Sequence, residues 1–175
     1  MISTIKNKYS SRGFSLVEVI VYIALLSILI GAITWSLGSV LHSYNKMKDE
    51  RALESSAIIS MDRMIKEIRN SKSVDLAHSA TSTSDGYLTL NGYDSNGSST
   101  VIKFYRSNNR IYIDQGGVQL GPLTLENIEV PSLVFRYFTN ASSTGVKIEL
   151  GLQSSSSTLI NYFYDSAILR NSYQN

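Results

Sequence analysis

A single charged side chain lies within a long apolar run near the start of this chain. From Phe14 to Leu41 there is no Asp, Lys, Arg or Pro, and Glu18 is the one acidic or basic side chain among those 28 residues. At a rise of about 1.5 Å per residue, a helix of this length extends roughly 42 Å, more than the roughly 30 Å hydrocarbon core of a bilayer. The run therefore predicts a helix that can span a membrane.

The residues before the run are basic. Lys6, Lys8 and Arg12 stand there without any acidic residue in the first 13 positions. Because positive charge beside a membrane helix favours the cytoplasmic side, we expect the amino terminus inside the cell and the bulk of the chain outside.

Two other interpretations of this segment are a secretory signal peptide and an ordinary uncleaved signal anchor. A secretory signal peptide has a shorter apolar region, of about 7 to 15 residues, that ends in a small-x-small cleavage site. Ser36-Leu37-Gly38 has that pattern but lies too deep behind so long an apolar run. An ordinary uncleaved signal anchor accommodates Glu18, since a carboxylate near a helix end can reach the headgroups. That second alternative leaves unexplained why Gly13, Phe14 and Glu18 directly follow a basic leader.

The segment Gly13-Phe14-Ser15-Leu16-Val17-Glu18, with its basic leader and apolar run, resembles the class III signal of type IV pilins and type II secretion pseudopilins. In that family a prepilin peptidase cuts after the glycine and methylates the new amino terminus. The resemblance implies cleavage between Gly13 and Phe14, N-methylation of Phe14, and a role for Glu18 between subunits.

These residue types suit that chemistry. A glycine at the cleavage position removes a side chain that would crowd the scissile peptide. After cleavage the amine of Phe14 would be a cation in apolar surroundings, where Glu18 is an anion. Pairing this amine with Glu18 of a neighbouring subunit would relieve both charges and set the axial register between helices.

The composition is that of a secreted, self-assembling protein. The precursor has 16 basic and 14 acidic side chains; loss of the three leader cations leaves 13 and 14, a net charge of −1. No long basic stripe remains outside the membrane, so the charge pattern does not favour nucleic-acid binding, although it does not exclude it. The chain has no cysteine, which removes any disulfide framework.

After Leu41 the periodicity stays helical but becomes amphipathic. Apolar residues recur at spacings of three and four, and charged residues occupy the other faces. The apolar stripe consists of Leu53, Ala57, Met61, Met64 and Ile68, with Ile58 and Ile65 alongside. This pattern predicts that the helix continues to about Ser73 and packs its apolar face against a sheet.

From Val74 onward, short β-type segments alternate with stretches rich in Ser, Asn, Gly and Asp. Two of them, joined through Ser107-Asn108-Asn109, predict a hairpin. The predicted strands are Tyr87–Leu90, Val101–Tyr105, Arg110–Asp114, Gln119–Leu125, Ile128–Val130, Leu133–Phe138, Val146–Leu152 and Leu159–Tyr164.

Together these patterns predict an α+β fold, in which a long N-terminal helix packs on a C-terminal head of antiparallel β-sheet. Residues 1–13 would be a removed cytoplasmic leader and 14–41 the membrane-spanning or filament-core half of the helix. Residues 42–73 would be its amphipathic half and 74–175 the β-rich head. A looser pattern in the head and late helix is similar to minor pilins and J-type minor pseudopilins. It comprises Asp62 to Arg69, Gly121 to Thr124, Ile128 to Val130 and Leu133 to Tyr137.

The sequence contains no pattern typical of a catalytic, metal or cofactor site. His42 and His78 are predicted to be solvated or interfacial, with no nearby acid and no metal-ligating partner. The stretch Asp94-Ser95-Asn96-Gly97 resembles the start of a calcium loop but lacks the later acidic ligand, which favours a simple turn. We therefore expect neither a catalytic residue, nor a metal, nor a cofactor.

The sequence thus predicts a non-enzymatic structural subunit of a type IV pilus-like or type II secretion filament. It would be made as a single-pass precursor in the cytoplasmic membrane and transferred to a periplasmic or extracellular filament. The expected partners are other pilin or pseudopilin subunits, the prepilin peptidase, the assembly platform and, before assembly, the lipid bilayer. The alternative is an extracytoplasmic binding module permanently anchored by an uncleaved helix.

Overall fold

The structure is a computed structural model that describes residues 13, 15–94, 96–140 and 143–170. One α-helix, α1, covers Leu16–Asn70 and is followed by β-strands. The chain divides into two compact units, Met1–Asn45 and Lys46–Asn175. The second unit contains the later part of α1 and all the strands, which confirms the predicted α+β class.

Helix α1 runs without interruption because its sequence contains no proline. It ends where the Ser71 N–H donates to Ile68 O at 3.2 Å and the Ser71 hydroxyl donates to Glu67 O at 2.6 Å. The predicted end at Ser73 was three residues too late. Ser73 instead begins a two-residue strand, β1, whose brevity left no recognisable pattern in the sequence.

The eight strands found among the described residues form two antiparallel sheets. One sheet has the order β1-β2-β3-β4-β5 and the other has the order β6-β7-β8. The strands are β1 (Ser73–Val74), β2 (Leu88–Tyr93), β3 (Ser99–Ser107), β4 (Arg110–Gln115), β5 (Val118–Pro122), β6 (Ile128–Thr139), β7 (Thr144–Ser154) and β8 (Ile160–Ile168).

The predicted hairpin between β3 and β4 is confirmed. Ser107 pairs with Arg110, and the two residues between them turn the chain. Asn108 and Asn109 both have positive φ, 48° and 57°, a conformation that asparagine tolerates better than most residues. Two left-handed residues in a two-residue loop match the right-handed twist of the flanking strands.

Strand β6 covers two segments that were predicted from the sequence as separate strands. Pro131, which has no backbone N–H to donate to a sheet, lies between the predicted strands Ile128–Val130 and Leu133–Phe138. The structure accommodates the proline through a register irregularity between Glu129 and Ser132, after which pairing with β7 resumes.

The core of the second unit lies between α1 and the inward faces of both sheets. The buried helix residues are Leu53, Ser56, Ala57, Ser60, Met61, Met64, Ile65 and Ile68. Two of them are serines that bind the segment after β5: the Ser60 hydroxyl donates to Leu123 O, and the Ser56 hydroxyl accepts from the Leu125 N–H, both at 3.2 Å. The predicted stripe is confirmed except for Ile58, which is 68% exposed and therefore lies outside the core.

Candidate functional site at the start of the helix

The residues singled out by the sequence lie at the beginning of α1. Gly13 is exposed, and no described atom lies within 4 Å of the position that a Cβ would occupy there. Packing within the described chain therefore does not explain a glycine at this position. Lys6, Lys8, Arg12 and Phe14 lie outside the described residues, so their expected roles stay predictions.

Glu18 occupies the first turn of α1, which begins at Leu16. The helix start is defined by the Val19 N–H, which donates to Ser15 O at 3.2 Å. Its place in the first turn puts the Glu18 carboxylate near the positive end of the helix dipole. Glu18 is half-buried, whereas both of its neighbours in sequence are exposed.

The Glu18 carboxylate has a side-chain partner that the sequence analysis did not identify. The Tyr22 hydroxyl donates to Glu18 Oε1 at 2.9 Å, across one helical turn. A spacing of i,i+4 brings two side chains together on one helix face. That spacing was visible in the sequence and could have indicated the pair.

The surface around this pair is apolar. Large apolar side chains are exposed along the helix from Leu16, which is 76% exposed, to Met47, which is 50% exposed. The helix is long and apolar enough to cross a membrane, and none of its most apolar stretch is buried within the chain. So large an exposed apolar surface requires a cover of lipid or protein.

Three hydroxyl side chains in this segment bond to the helix itself. Ser27 donates to Ile23 O at 2.8 Å, Thr34 donates to the carbonyls of Ile30 and Gly31, and Ser43 donates to Ser39 O at 3.0 Å. Hydroxyls bonded in this way do not need water. These three hydroxyls are therefore compatible with a hydrocarbon environment.

The two histidines are separated in the chain and differ in their surroundings. The prediction that His78 has no nearby acid was wrong, because its Nδ1 lies 2.8 Å from Asp75 Oδ2. This hydrogen bond is the largest cause of a lowered pKa for the Asp75 carboxyl, which also accepts the N–H groups of Ala77 and His78. Asp75 thus caps a one-turn 3-10 helix, Leu76–His78, which gives the pair a local structural role.

The loop that resembled the start of a calcium site is a turn. The Asp94 carboxylate accepts the N–H of Asn96 at 2.9 Å and that of Ser98 at 2.8 Å. Its Oδ1 is thereby occupied by the loop backbone, and Ser95 lies outside the described residues. Across the described part of the chain, no group of three or more His, Asp or Glu side chains is arranged to hold a metal ion.

Comparison with known families supports the interpretation of the N-terminal segment as a methylation signal. The sequence model described as the prokaryotic N-terminal methylation motif matches residues 8–34, a range that contains Gly13, Phe14 and Glu18. No curated protein and no solved structure gave a significant match.

The chain therefore carries a prepilin-type N-terminal methylation motif, and its long N-terminal helix followed by β-sheets fits the pilin fold. The motif supports a pilin-like or pseudopilin-like precursor that is anchored in a membrane and assembles with other pilin subunits. It points to a structural subunit rather than an enzyme.

Proposed function

We propose that this chain is a minor pilin or pseudopilin, a structural subunit of a type IV pilus-like or type II secretion filament. The observation that carries the proposal is the methylation motif at residues 8–34, placed directly on a helix whose apolar side chains are exposed. A helix of this kind can be held by lipid before assembly and by other helices afterwards.

Maturation removes residues 1–13 by cleavage between Gly13 and Phe14, followed by N-methylation of Phe14. The exposed position of Gly13 ahead of α1 supports access by a membrane-embedded peptidase. Lys6, Lys8 and Arg12 keep the leader on the cytoplasmic side, where the peptidase meets it.

Glu18 sets the register between subunits. In the assembled filament its carboxylate pairs with the methylated amine of Phe14 of a neighbouring subunit. Two opposite charges in apolar surroundings are each costly alone, so only the register that pairs them is acceptable. The pair therefore specifies axial position more than it adds net stability.

The protein is a single-pass precursor in the cytoplasmic membrane with its amino terminus inside. It then enters a periplasmic or extracellular filament. Its partners are the prepilin peptidase, the assembly platform and the other subunits of the same filament. The β-rich head supplies the contacts that differ from one subunit type to another.

The first test is mass spectrometry of the intact protein, and of its N-terminal peptide, purified from its own cells. The expected terminus is N-methyl-Phe14. An intact leader beginning at Met1 would overturn the proposal and leave a permanently anchored extracytoplasmic module.

The second test is incorporation of Glu18→Ala into sheared filaments, measured against the amount of protein in the membrane fraction. We expect normal membrane insertion and a strong loss from the filament fraction. Glu54→Ala is the matched control, because Glu54 is an exposed acid on the same helix outside the apolar run. Normal incorporation of Glu18→Ala would contradict the register role.

A further inference from the structure

Tyr22 contacts the carboxylate to which the proposed function gives the register role. We propose that Tyr22 is a positioning residue for Glu18: its hydroxyl holds Oε1 and leaves Oε2 to receive the amine of the neighbouring subunit. This inference rests on the proposed function, but the contact itself is observed, with the Tyr22 hydroxyl 2.9 Å from Oε1.

The apolar surroundings make this hydrogen bond important. A carboxylate removed from water needs donors, and a hydrogen bond to an ionised acceptor is roughly twice as strong as a neutral one. Among residues 13, 15–94, 96–140 and 143–170, Tyr22 is the one donor found on the Glu18 carboxylate. Tyr22 therefore supplies the polar contact that Glu18 needs before a neighbouring subunit arrives.

The bond also restricts where the carboxylate can point. A glutamate side chain has three rotatable bonds, and an isolated one on a helix surface samples several rotamers. Fixing Oε1 against the next turn orders the carboxylate before assembly. A partner amine then meets an oriented acceptor, which lowers the entropy that docking has to remove.

Tyr22 differs from the three hydroxyl residues of the apolar segment that bond to the helix itself. Ser27, Thr34 and Ser43 donate to backbone carbonyls of their own helix, whereas Tyr22 donates to a charged side chain. Tyr44 offers a matched comparison on the same helix. It is 60% exposed against 53% for Tyr22, and no hydrogen bond to another described residue is found for its hydroxyl.

A competing role for Tyr22 is that of an interfacial anchor. Tyrosine rings are enriched at the membrane surface, where the hydroxyl bonds to headgroups or water. An anchor would act without Glu18, whereas a positioning residue acts only through it. Removal of the hydroxyl in the presence and absence of Glu18 separates the two roles.

The contact is tested first by NMR on the full-length chain in detergent micelles, with tyrosine labelled at 13Cζ, a nucleus sensitive to what the hydroxyl donates to. The Tyr22 resonance is assigned by its loss in Tyr22→Phe, and the Tyr44 resonance by its loss in Tyr44→Phe. We expect Glu18→Ala to shift the Tyr22 resonance and to leave that of Tyr44 in place. An unchanged Tyr22 resonance would overturn the inference.

The role is tested by filament incorporation in the protein's own cells. We expect Tyr22→Phe to lower incorporation about tenfold, the equivalent of losing one hydrogen bond to a charged group, and Tyr44→Phe to leave it unchanged. In a Glu18→Ala background, Tyr22→Phe should cause no further loss, because the two residues act as one unit. Full incorporation of Tyr22→Phe, or an equal loss in both backgrounds, would overturn the positioning role.

Failure of the two proposals can be told apart. The NMR experiment needs neither processing nor a filament, so it reports on the Tyr22–Glu18 contact even if the leader proves to be uncleaved. Retention of the leader in cells would contradict the proposed function alone.

Discussion

Glu149, on the second sheet, is the carboxylate with the largest displacement of pKa in the described head. Arg136 donates to it from Nε at 2.7 Å and from Nη2 at 3.1 Å, and Lys147 donates from Nζ at 2.9 Å. The hydrogen bonds from Arg136 are the first cause, and that from Lys147 the second, of a Glu149 pKa lowered from 4.5 to about 2. A carboxylate whose pKa is lower in the folded state stabilises the fold above its unfolded pKa.

Glu149→Gln should therefore lower the free energy of unfolding at pH 7 by about 1 kcal/mol, since Arg136 is half exposed and water weakens such pairs. The deficit should shrink as the pH falls from about 4.5 towards about 2, because protonation removes the same charge from the parent. Denaturant unfolding at pH 7 and near pH 2.5, on a soluble fragment covering residues 46–175, would measure both values.

Glu129→Gln is the control, because Glu129 is exposed and no ion pair is found for it among the described residues. A deficit that persists unchanged at low pH would contradict the ion-pair explanation.

At the scale of single residues, the sequence identified which side chains are unusual better than it identified their partners. Glu18 stood out because one acid in an apolar run is costly. Tyr22 and Asp75 were missed although each lies within four residues of its partner along the chain. Spacing brings such side chains into reach, but the rotamers that close the hydrogen bond depend on the local backbone, which a residue pattern does not specify.

At the scale of elements, the amphipathic part of α1 illustrates how periodicity fixes a buried face. Residues at spacings of three and four face the sheets, and Met64 in their midst is fully buried. Ile58 is equally apolar but lies one residue beyond Ala57, on the rim of the stripe, where it is 68% exposed. Composition alone could not distinguish the two sites.

Met64→Ala and Ile58→Ala should consequently differ although both shorten an apolar side chain on one helix. We expect Met64→Ala to lower the free energy of unfolding by about 2 to 5 kcal/mol, because it leaves a cavity in a closely packed core. Ile58→Ala, at a site that is 68% exposed, should cost less than about 1 kcal/mol. Thermal unfolding monitored by circular dichroism would rank them; equal losses would show that the rim of the stripe is packed after all.

The strands show which features of a sheet can be predicted from the sequence. Alternation and turn residues gave most of the strands and the Asn108-Asn109 hairpin, since both are local features. The division into two sheets was not predictable, because it depends on contacts between distant segments, such as the bridge between Asp85 and Leu133. The union of two predicted strands across Pro131 likewise depended on a bulge that only pairing with β7 reveals.

At the scale of the whole molecule, apolar residues are segregated along the chain by function. Every buried apolar residue of the described core falls between Leu53 and Leu169. The large apolar residues from Leu16 to Met47 are exposed instead, and their surface is available to contact lipid or neighbouring helices. The core that stabilises the head and the surface proposed for the filament are therefore built from different residues.

This segregation predicts that the head folds without the first unit. A fragment of residues 46–175 retains every buried core residue, so it should be soluble and should unfold in one cooperative transition. With Trp35 absent, tyrosine fluorescence and circular dichroism can both follow the transition, and their midpoints should coincide. A shorter fragment beginning at Asp62 loses Leu53, Ala57 and Met61 from the core and should be markedly less stable. Aggregation or gradual unfolding of the longer fragment would show that the exposed apolar half of α1 also contributes to the stability of the head.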